Sequence, residues 1–139
     1  MPGLVRRQRI GRLYPEESLP DDRLSYMLDV LGLRDPWMHR VDLARATGRP
    51  LVLGAHDRVV VAQVIADLGR AWDGPPVLLE LTGPAGGQWV LGQGAPVATV
   101  WADTIDYLRA LSGRSGHPDL AADGDPAAAA AVTAARVVF

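Results

Sequence analysis

The spacing of apolar residues changes at Asp73-Gly-Pro-Pro76, and this change constrains the fold more than any other feature of the sequence. Before this point, apolar residues recur every three or four positions, which predicts amphipathic helices. After it, residues 77–82 and 88–91 form short β-type runs on either side of the glycine-rich turn 83–87, which predicts a β-hairpin. We therefore expect helices combined with a small sheet.

Three helices are predicted before the change. The first follows Asp21-Asp22 and runs to about Gly32, with Leu24, Met27, Leu28 and Leu31 on one stripe. Asp35-Pro36 has the form of an N-cap and first helical residue, and predicts a second helix that Gly48 terminates, with Trp37, Val41 and Ala44 on one side. His56-Asp57 begins the third, whose predicted buried face is listed here: Val60, Val61, Val64, Ile65 and Leu68.

After the hairpin, residues 97–101 are the next predicted strand and residues 103–113 a helix with Ile105, Leu108 and Leu111 facing inward. A loop is expected around His117-Pro118. Asp125-Pro126 and the alanine run that follows predict a last helix. Residues 1–20 are polar and basic, and we expect a short helix or arm followed by a turn.

Composition excludes several classes of function. A chain of 139 residues with net charge -2 has the size of one compact domain and gives no reason to expect a nucleic-acid partner. Its longest apolar run, residues 59–62, is too short to span a membrane, and no secretory signal follows the N-terminal arginines, so we expect a cytoplasmic protein. Cysteine is absent, so any thiol chemistry needs a thiol from another molecule. All 14 basic residues are arginine, a bias typical of a high-GC genome.

Asp35 and His39 are the residues whose spacing most suggests chemistry. Residues four apart project from the same face of a continuous helix, which a two-ligand metal clamp requires. Asp42, three residues further on, is placed to accept the second imidazole N–H of His39 and set its tautomer. Alternatively, Asp35 is an N-cap, His39 a surface or interfacial histidine and Asp42 a partner for Arg45.

The stretch from Leu33 to Pro50, which includes Trp-Met-His-Arg-Val-Asp, resembles the second half of the DinB-like metal-binding bundle of mycothiol-dependent maleylpyruvate isomerases. Later features of the sequence resemble the family's C-terminal domain and occur in the same order, so the resemblance covers most of residues 24–139. These features are the helix start at His56-Asp57, the stretch Leu79 to Gly87 before Trp89, Tyr107 to Leu111 leading into Ser112-Gly-Arg114, and the terminal Val-Phe.

The resemblance implies an α+β fold in three parts: an N-terminal arm (1–20), remaining helices of the bundle (21–50), and a sterol-carrier-like C-terminal α/β domain with a small antiparallel sheet packed with helices (51–139). It also implies zinc held by Asp35, His39 and a histidine of an early helix. A mycothiol thiolate would add to the cis double bond of the substrate, allow rotation and leave. Arg114 is the nearest match to the family's catalytic arginine, and its planar guanidinium suits a carboxylate substrate.

The sequence departs from the family at two points. The family's early helices and their histidine are expected before residue 1, which leaves two mapped ligands where a catalytic zinc site normally has three. Pro36 would also remove a hydrogen bond from a helix that ran through it. Arg114 could equally cap the carbonyls of the helix before it. The resemblance thus implies either an isomerase completed by other chain segments or a second copy, or one of two alternatives without catalysis.

The first alternative is a sterol-carrier-like binding module, which predicts an apolar tunnel lined by Trp89, Val97 and Trp101. The second is an interaction protein that forms a homodimer through an exposed apolar stripe. The residues of that stripe are Met27, Leu28, Leu31, Trp37 and Val41.

Overall fold

The computed structural model describes residues 6–9 and 23–139. The chain divides into two compact units, one comprising Met1–Pro50 with Val138–Phe139 and the other Leu51–Val137. The last two residues therefore group with the helical unit and not with the predicted 51–139 region. Apart from residues 6–9, the predicted N-terminal arm lies outside the described residues.

In the part of the first unit that the structure describes, residues 24–47 form one uninterrupted helical segment. It begins with the short helix α1 (Leu24–Tyr26), continues through a π-helical turn (Met27–Leu31), and becomes the helix α2 (Gly32–Thr47). Two separate helices with an N-cap at Asp35 were predicted, and this was wrong. Gly48, with φ of 65°, ends α2 as predicted, because its left-handed backbone directs its N–H and that of Arg49 back to carbonyls of the last turn.

Pro36 lies inside α2 and does not break it. A proline within a helix costs roughly 3 kcal/mol, because it lacks an N–H and its ring crowds the carbonyl four residues earlier. On the buried face, Trp37, Met38 and Val41 are at most 4% exposed. Burying such a side chain contributes about 1.5–3 kcal/mol, so packing of this face offsets the cost of the proline.

The second unit is a four-stranded sheet with three helices. In chain order the elements are α3 (Ala55–Ala71), β1 (Val77–Thr82), β2 (Gly87–Leu91), β3 (Ala98–Asp103), α4 (Thr104–Leu111), β4 (Leu120–Gly124) and α5 (Pro126–Ala134). The strand order is β2-β1-β3-β4. The two outer pairings are antiparallel, as predicted for the sheet, but the central pairing of β1 with β3 is parallel.

Alternation along the strands separates a buried face of the sheet from a partly exposed one. In β1 and β3, every second side chain is buried, and the residues between are half-buried. Helices α3, α4 and α5 contact the sheet, and α4 also contacts α3 and, through a hydrogen bond from Tyr107 to the Val132 carbonyl, α5. The predicted inner face of α3 is confirmed, because all five of its apolar residues are at most 2% exposed.

Local sequence accounts for most helix ends in this unit. Asp103 caps α4 by accepting the backbone N–H groups of Ile105 and Asp106, and Asp125 caps α5 by accepting that of Ala127. The hairpin also lies where it was predicted. Its turn includes Gly83 at φ of 99°, a backbone conformation that favours glycine.

Candidate functional site

The side chains of Asp35 and His39 lie next to each other on the outer face of α2. Because the helix is continuous through Pro36, the two residues are one turn apart on the same face. Asp35 Oδ1 and His39 Nε2 are 3.4 Å apart, and the side chains are 53% and 62% exposed. The sequence left open whether Asp35 caps a helix or lies beside His39 within one. The structure shows the second arrangement, because the N-cap of this helix is Leu31.

This distance can be compared with what a metal ion would need. Zinc binds carboxylate oxygen and imidazole nitrogen at about 2.0–2.2 Å in a tetrahedron, which places two donors about 3.3–3.6 Å apart. The separation of 3.4 Å fits two ligands of such an ion. In the described part of the chain, however, no cluster of three or more histidine, cysteine or acidic residues could hold a metal. Asp35 and His39 alone are thus fewer than the three protein donors that a catalytic zinc site normally has, and their role as ligands remains a prediction.

Asp42 lies in α2 three residues after His39 and is half-buried. This spacing puts it on the turn that follows His39, as the sequence predicts. Its expected role, accepting the second imidazole N–H of His39, remains a prediction.

The buried face of α2 is anchored by Arg34, which sequence reasoning did not select. Its side chain is fully buried, and Nη1 lies 3.3 Å from both the Tyr26 hydroxyl and the Val138 carbonyl oxygen, to which it donates. The guanidinium also lies over the Tyr26 ring, 6.0 Å from its centroid. A signal was present in the sequence, because Arg34 shares the helical stripe of Trp37 and Val41. These contacts hold the helix that carries Asp35 and His39.

Arg114 lies in the second unit, three residues after the last residue of α4, and is half-buried. Its backbone N–H donates to the Arg109 carbonyl, and that of Gly113, at φ of 76°, donates to Ala110. This pair of bonds is a Schellman motif, so the main chain at Arg114 ends the helix. The backbone N–H of Arg114 thus contributes to the cap, while both roles predicted for its guanidinium, capping and substrate binding, remain predictions.

His56 and Asp57 lie in the first turn of α3, which agrees with the predicted helix start to within one residue. Asp57 is fully buried and accepts the backbone N–H of Gly54, which completes the first turn. His56 Nε2 lies 3.6 Å from Asp57 Oδ1, and the histidine is largely exposed. The arrangement is that of a helix start.

The predicted apolar tunnel is not formed by the residues named for it. Trp89 pairs with Leu79, whose side chain belongs to the buried face of the sheet, whereas Trp101 pairs with Glu80 on the opposite face. Trp101 Nε1 donates to Glu80 Oε2 at 2.5 Å, which confirms this placement. Because neighbouring residues of a strand point to opposite faces, Trp89 and Trp101 cannot line one tunnel.

The five residues of the predicted dimer stripe differ in exposure, and they do not form one exposed surface. Trp37 is 4% exposed and Val41 is fully buried, so neither is available to a partner. Leu28 is 56% exposed, while Met27 and Leu31 are half-buried. The apolar residues of the first unit that do face solvent include Leu33 and Leu43, which the prediction did not name.

No match was found when the chain was compared with protein-family models, with curated proteins and with solved structures. Among the described residues, no helix combines the length and apolar character needed to cross a membrane.

Proposed function

We propose that this chain is a short member of the metal- and mycothiol-dependent maleylpyruvate isomerase family, and that Asp35 and His39 are two of its zinc ligands. The observation that carries the proposal is the 3.4 Å separation of Asp35 Oδ1 and His39 Nε2 on one face of a continuous helix. The resemblance of residues 33–50 supports it independently of this geometry. The remaining ligand comes from another segment or from a second copy of the chain.

Exposure of the pair supports a binding role over a purely structural one. An exposed ion pair contributes little to stability, typically 0–1 kcal/mol, so the fold gains little from keeping these two residues together. Both donors instead remain accessible to an ion and to a cosubstrate. Bound zinc would supply the acidity that keeps a mycothiol thiol ionised at neutral pH. Mycothiol would in turn supply the nucleophilic thiol that a chain without cysteine lacks.

The proposed substrate is a small unsaturated carboxylate, and Arg114 is the residue proposed to bind it. A guanidinium donates two parallel hydrogen bonds to one carboxylate, which orients the substrate as well as attracting it. The main-chain Schellman motif supports this role, because it fixes the backbone from which the side chain extends. The reaction would be thiol-assisted cis-trans isomerisation or a related thiol transfer in the cytoplasm.

A partner that completes the helical bundle belongs to the same proposal. Leu28, Leu33 and Leu43 of the first unit are 56%, 41% and 65% exposed, and large apolar side chains that face solvent favour association. We propose a homodimer, which light scattering on the purified chain would detect as twice the mass of 14.8 kDa. A monomer at all concentrations would require the third ligand to come from a different chain or segment.

Zinc content tests the proposal most directly. The purified chain should bind zinc, and Asp35→Ala and His39→Ala should each lower its affinity at least about ten-fold, because each removes one of the two donors that the helix supplies. His117→Ala is the matched control, since His117 is also exposed but lies in a loop. All three variants should retain the unfolding free energy of the parent to within about 0.5 kcal/mol.

Activity supplies the second measurement. Isomerisation of maleylpyruvate should require both mycothiol and zinc, and Arg114→Lys should raise KM more than it lowers kcat, because a lysine keeps the charge but loses the paired donors. Zinc affinity unchanged in His39→Ala would show that the pair is not a metal site, whatever the activity.

A further inference from the structure

A cleft of about 260 Å³ lies in the second unit where helices α3 and α5 end. It is independent of Asp35, His39 and Arg114. Its floor consists of small or apolar side chains from the last turns of the two helices, and Trp72 forms a wall. The floor residues are Leu68, Ala71, Ala131 and Ala134.

The indole of Trp72 is held in place on several sides. Its Nε1 donates to the Pro75 carbonyl at 3.0 Å. A Cβ added at Gly74 would lie 2.9 Å from Trp72 Cζ2 and 3.2 Å from Ala131 Cβ, and one added at Gly92 would lie 3.2 Å from Trp72 Cδ1. Only glycine therefore lets the chain approach the ring this closely. The wall is pre-formed, which lowers the entropic cost of binding.

The charges around the cleft favour a cation. Two helices end here, and the last carbonyls of a helix carry a partial negative charge. The exposed carboxylate of Asp73 also lines the cleft, and no hydrogen bond or ion pair engages it within the described ranges 6–9 and 23–139. Arg136 is the opposing charge, but its Nη1 donates to the carbonyls of Thr133 and Ala135 and so caps α5. Arg70 supplies the cation in the last turn of α3 but pairs with Asp67, so neither Arg70 nor Arg136 is paired with Asp73.

We propose that this cleft binds a small organic ammonium ion. The cationic head contacts the indole of Trp72 and the carboxylate of Asp73, and its alkyl groups occupy the alanine-lined floor. A dry cavity of about 150 Å³ accepts a benzene molecule, so the larger cleft admits one ligand of the size of choline.

The experiment is a titration of the full chain with choline, followed by NMR of the tryptophan indole N–H groups. The chain has four tryptophans, and Trp72→Phe assigns the signal of Trp72 by its loss. We expect a saturable shift of this signal. The neutral isostere 3,3-dimethyl-1-butanol should bind about ten-fold more weakly, because it has the shape of choline without the charge. Asp73→Asn should weaken choline binding by a similar factor.

Ala131→Leu fills the floor of the cleft and should abolish the shift. Ala130→Leu is its matched control, because Ala130 lies in the same helix but is exposed and does not line the cleft. Asp73→Asn keeps the proposal testable if Ala131→Leu fails to fold. Three results would overturn the proposal: the absence of a saturable shift, equal binding of the neutral isostere, or stronger binding of benzoate, which would assign the cleft to anions through Arg136.

Discussion

Ionisation of Tyr107 should control how the stability of the second unit falls at alkaline pH. Tyr107 is 1% exposed, and its hydroxyl donates to the Val132 carbonyl at 3.3 Å. Burial raises the pKa of Tyr107 far above its ordinary value of 10.0, and the nearby Arg136 guanidinium lowers it by a smaller amount. The folded protein therefore keeps a phenol proton that the unfolded chain releases at high pH.

The sign and size of the effect follow from this difference in pKa. Below pH 10 both states are protonated, and the stability contributed by the buried phenol is fully present. Above pH 10 the unfolded state loses its proton first, so unfolding becomes more favourable by about 1.4 kcal/mol for each further pH unit. At about pH 11 the loss from Tyr107 alone should be roughly 1.4 kcal/mol.

The composition leaves few other groups that titrate in the pH range of this measurement. The chain has no lysine and no cysteine, so its three tyrosines are the side chains that titrate in this range, and arginine stays charged. Urea unfolding from about pH 8 to about pH 11 should be compared between the parent and Tyr107→Phe. The other two tyrosines are present in both proteins, and their contribution cancels.

At about pH 8 the Tyr107→Phe variant should be less stable by about 0.5–1.5 kcal/mol, because it lacks the hydrogen bond to Val132. By about pH 11 the difference should shrink by roughly 1.4 kcal/mol and can change sign. Parallel stability curves for the two proteins over this range would refute the reasoning, since they would mean that the phenol ionises equally easily in the folded state.

Three further substitutions test backbone features by urea unfolding. Gly48→Ala should destabilise the first unit by about 1 kcal/mol, because φ is 65° at this position, although nothing lies within 4 Å of the added Cβ. Gly116→Ala is its control, since Gly116 has equal space and no positive φ, and it should change the free energy of unfolding by less than about 0.5 kcal/mol. Asp125→Ala should cost about 1 kcal/mol and lower the helical circular dichroism signal, because it removes the cap of α5; an unchanged midpoint would contradict that role. Gly124→Ala should cost more than about 2 kcal/mol, since its Cβ would overlap the Val97 carbonyl oxygen at a φ of 102°; a smaller loss would mean that β4 shifts freely.

Sequence reasoning located most elements of the second unit because their information is local. Apolar spacing placed the buried face of α3, the Gly83 turn placed the hairpin, and Asp125-Pro126 placed the start of α5. In each case the residues that specify the element lie within it or next to it. Such signals do not depend on the rest of the fold.

β4 was missed because its sequence has no strand pattern. Leu120–Gly124 contains two alanines, an aspartate and a glycine, and four of its five residues are exposed. It is a strand because β3 offers an edge, along which five residue pairs form. Sequence spacing also could not decide which sheet neighbour β3 would take, so the parallel pairing with β1 was not predicted.

Asp35 and His39 also show, within one helix, which properties the sequence specifies and which depend on packing. The identities of Asp35 and His39 and their spacing of four are properties of the sequence alone. Whether that spacing places the donors together depends on helix continuity through Pro36, and local rules favoured a helix start there. Burial of Trp37, Met38 and Val41 decided the outcome, because packing of a whole face outweighs the loss of one backbone hydrogen bond.

By itself, therefore, the sequence determined the order of the helical and hairpin segments, the caps and turns of the second unit, and the residue types available for chemistry. Only the tertiary structure decided which edge each strand joined, which face each tryptophan occupied and whether Asp35 was a cap or a neighbour of His39. The physical reason is that caps and turns depend on hydrogen bonds between residues close in the chain, whereas pairing and burial depend on contacts between distant segments.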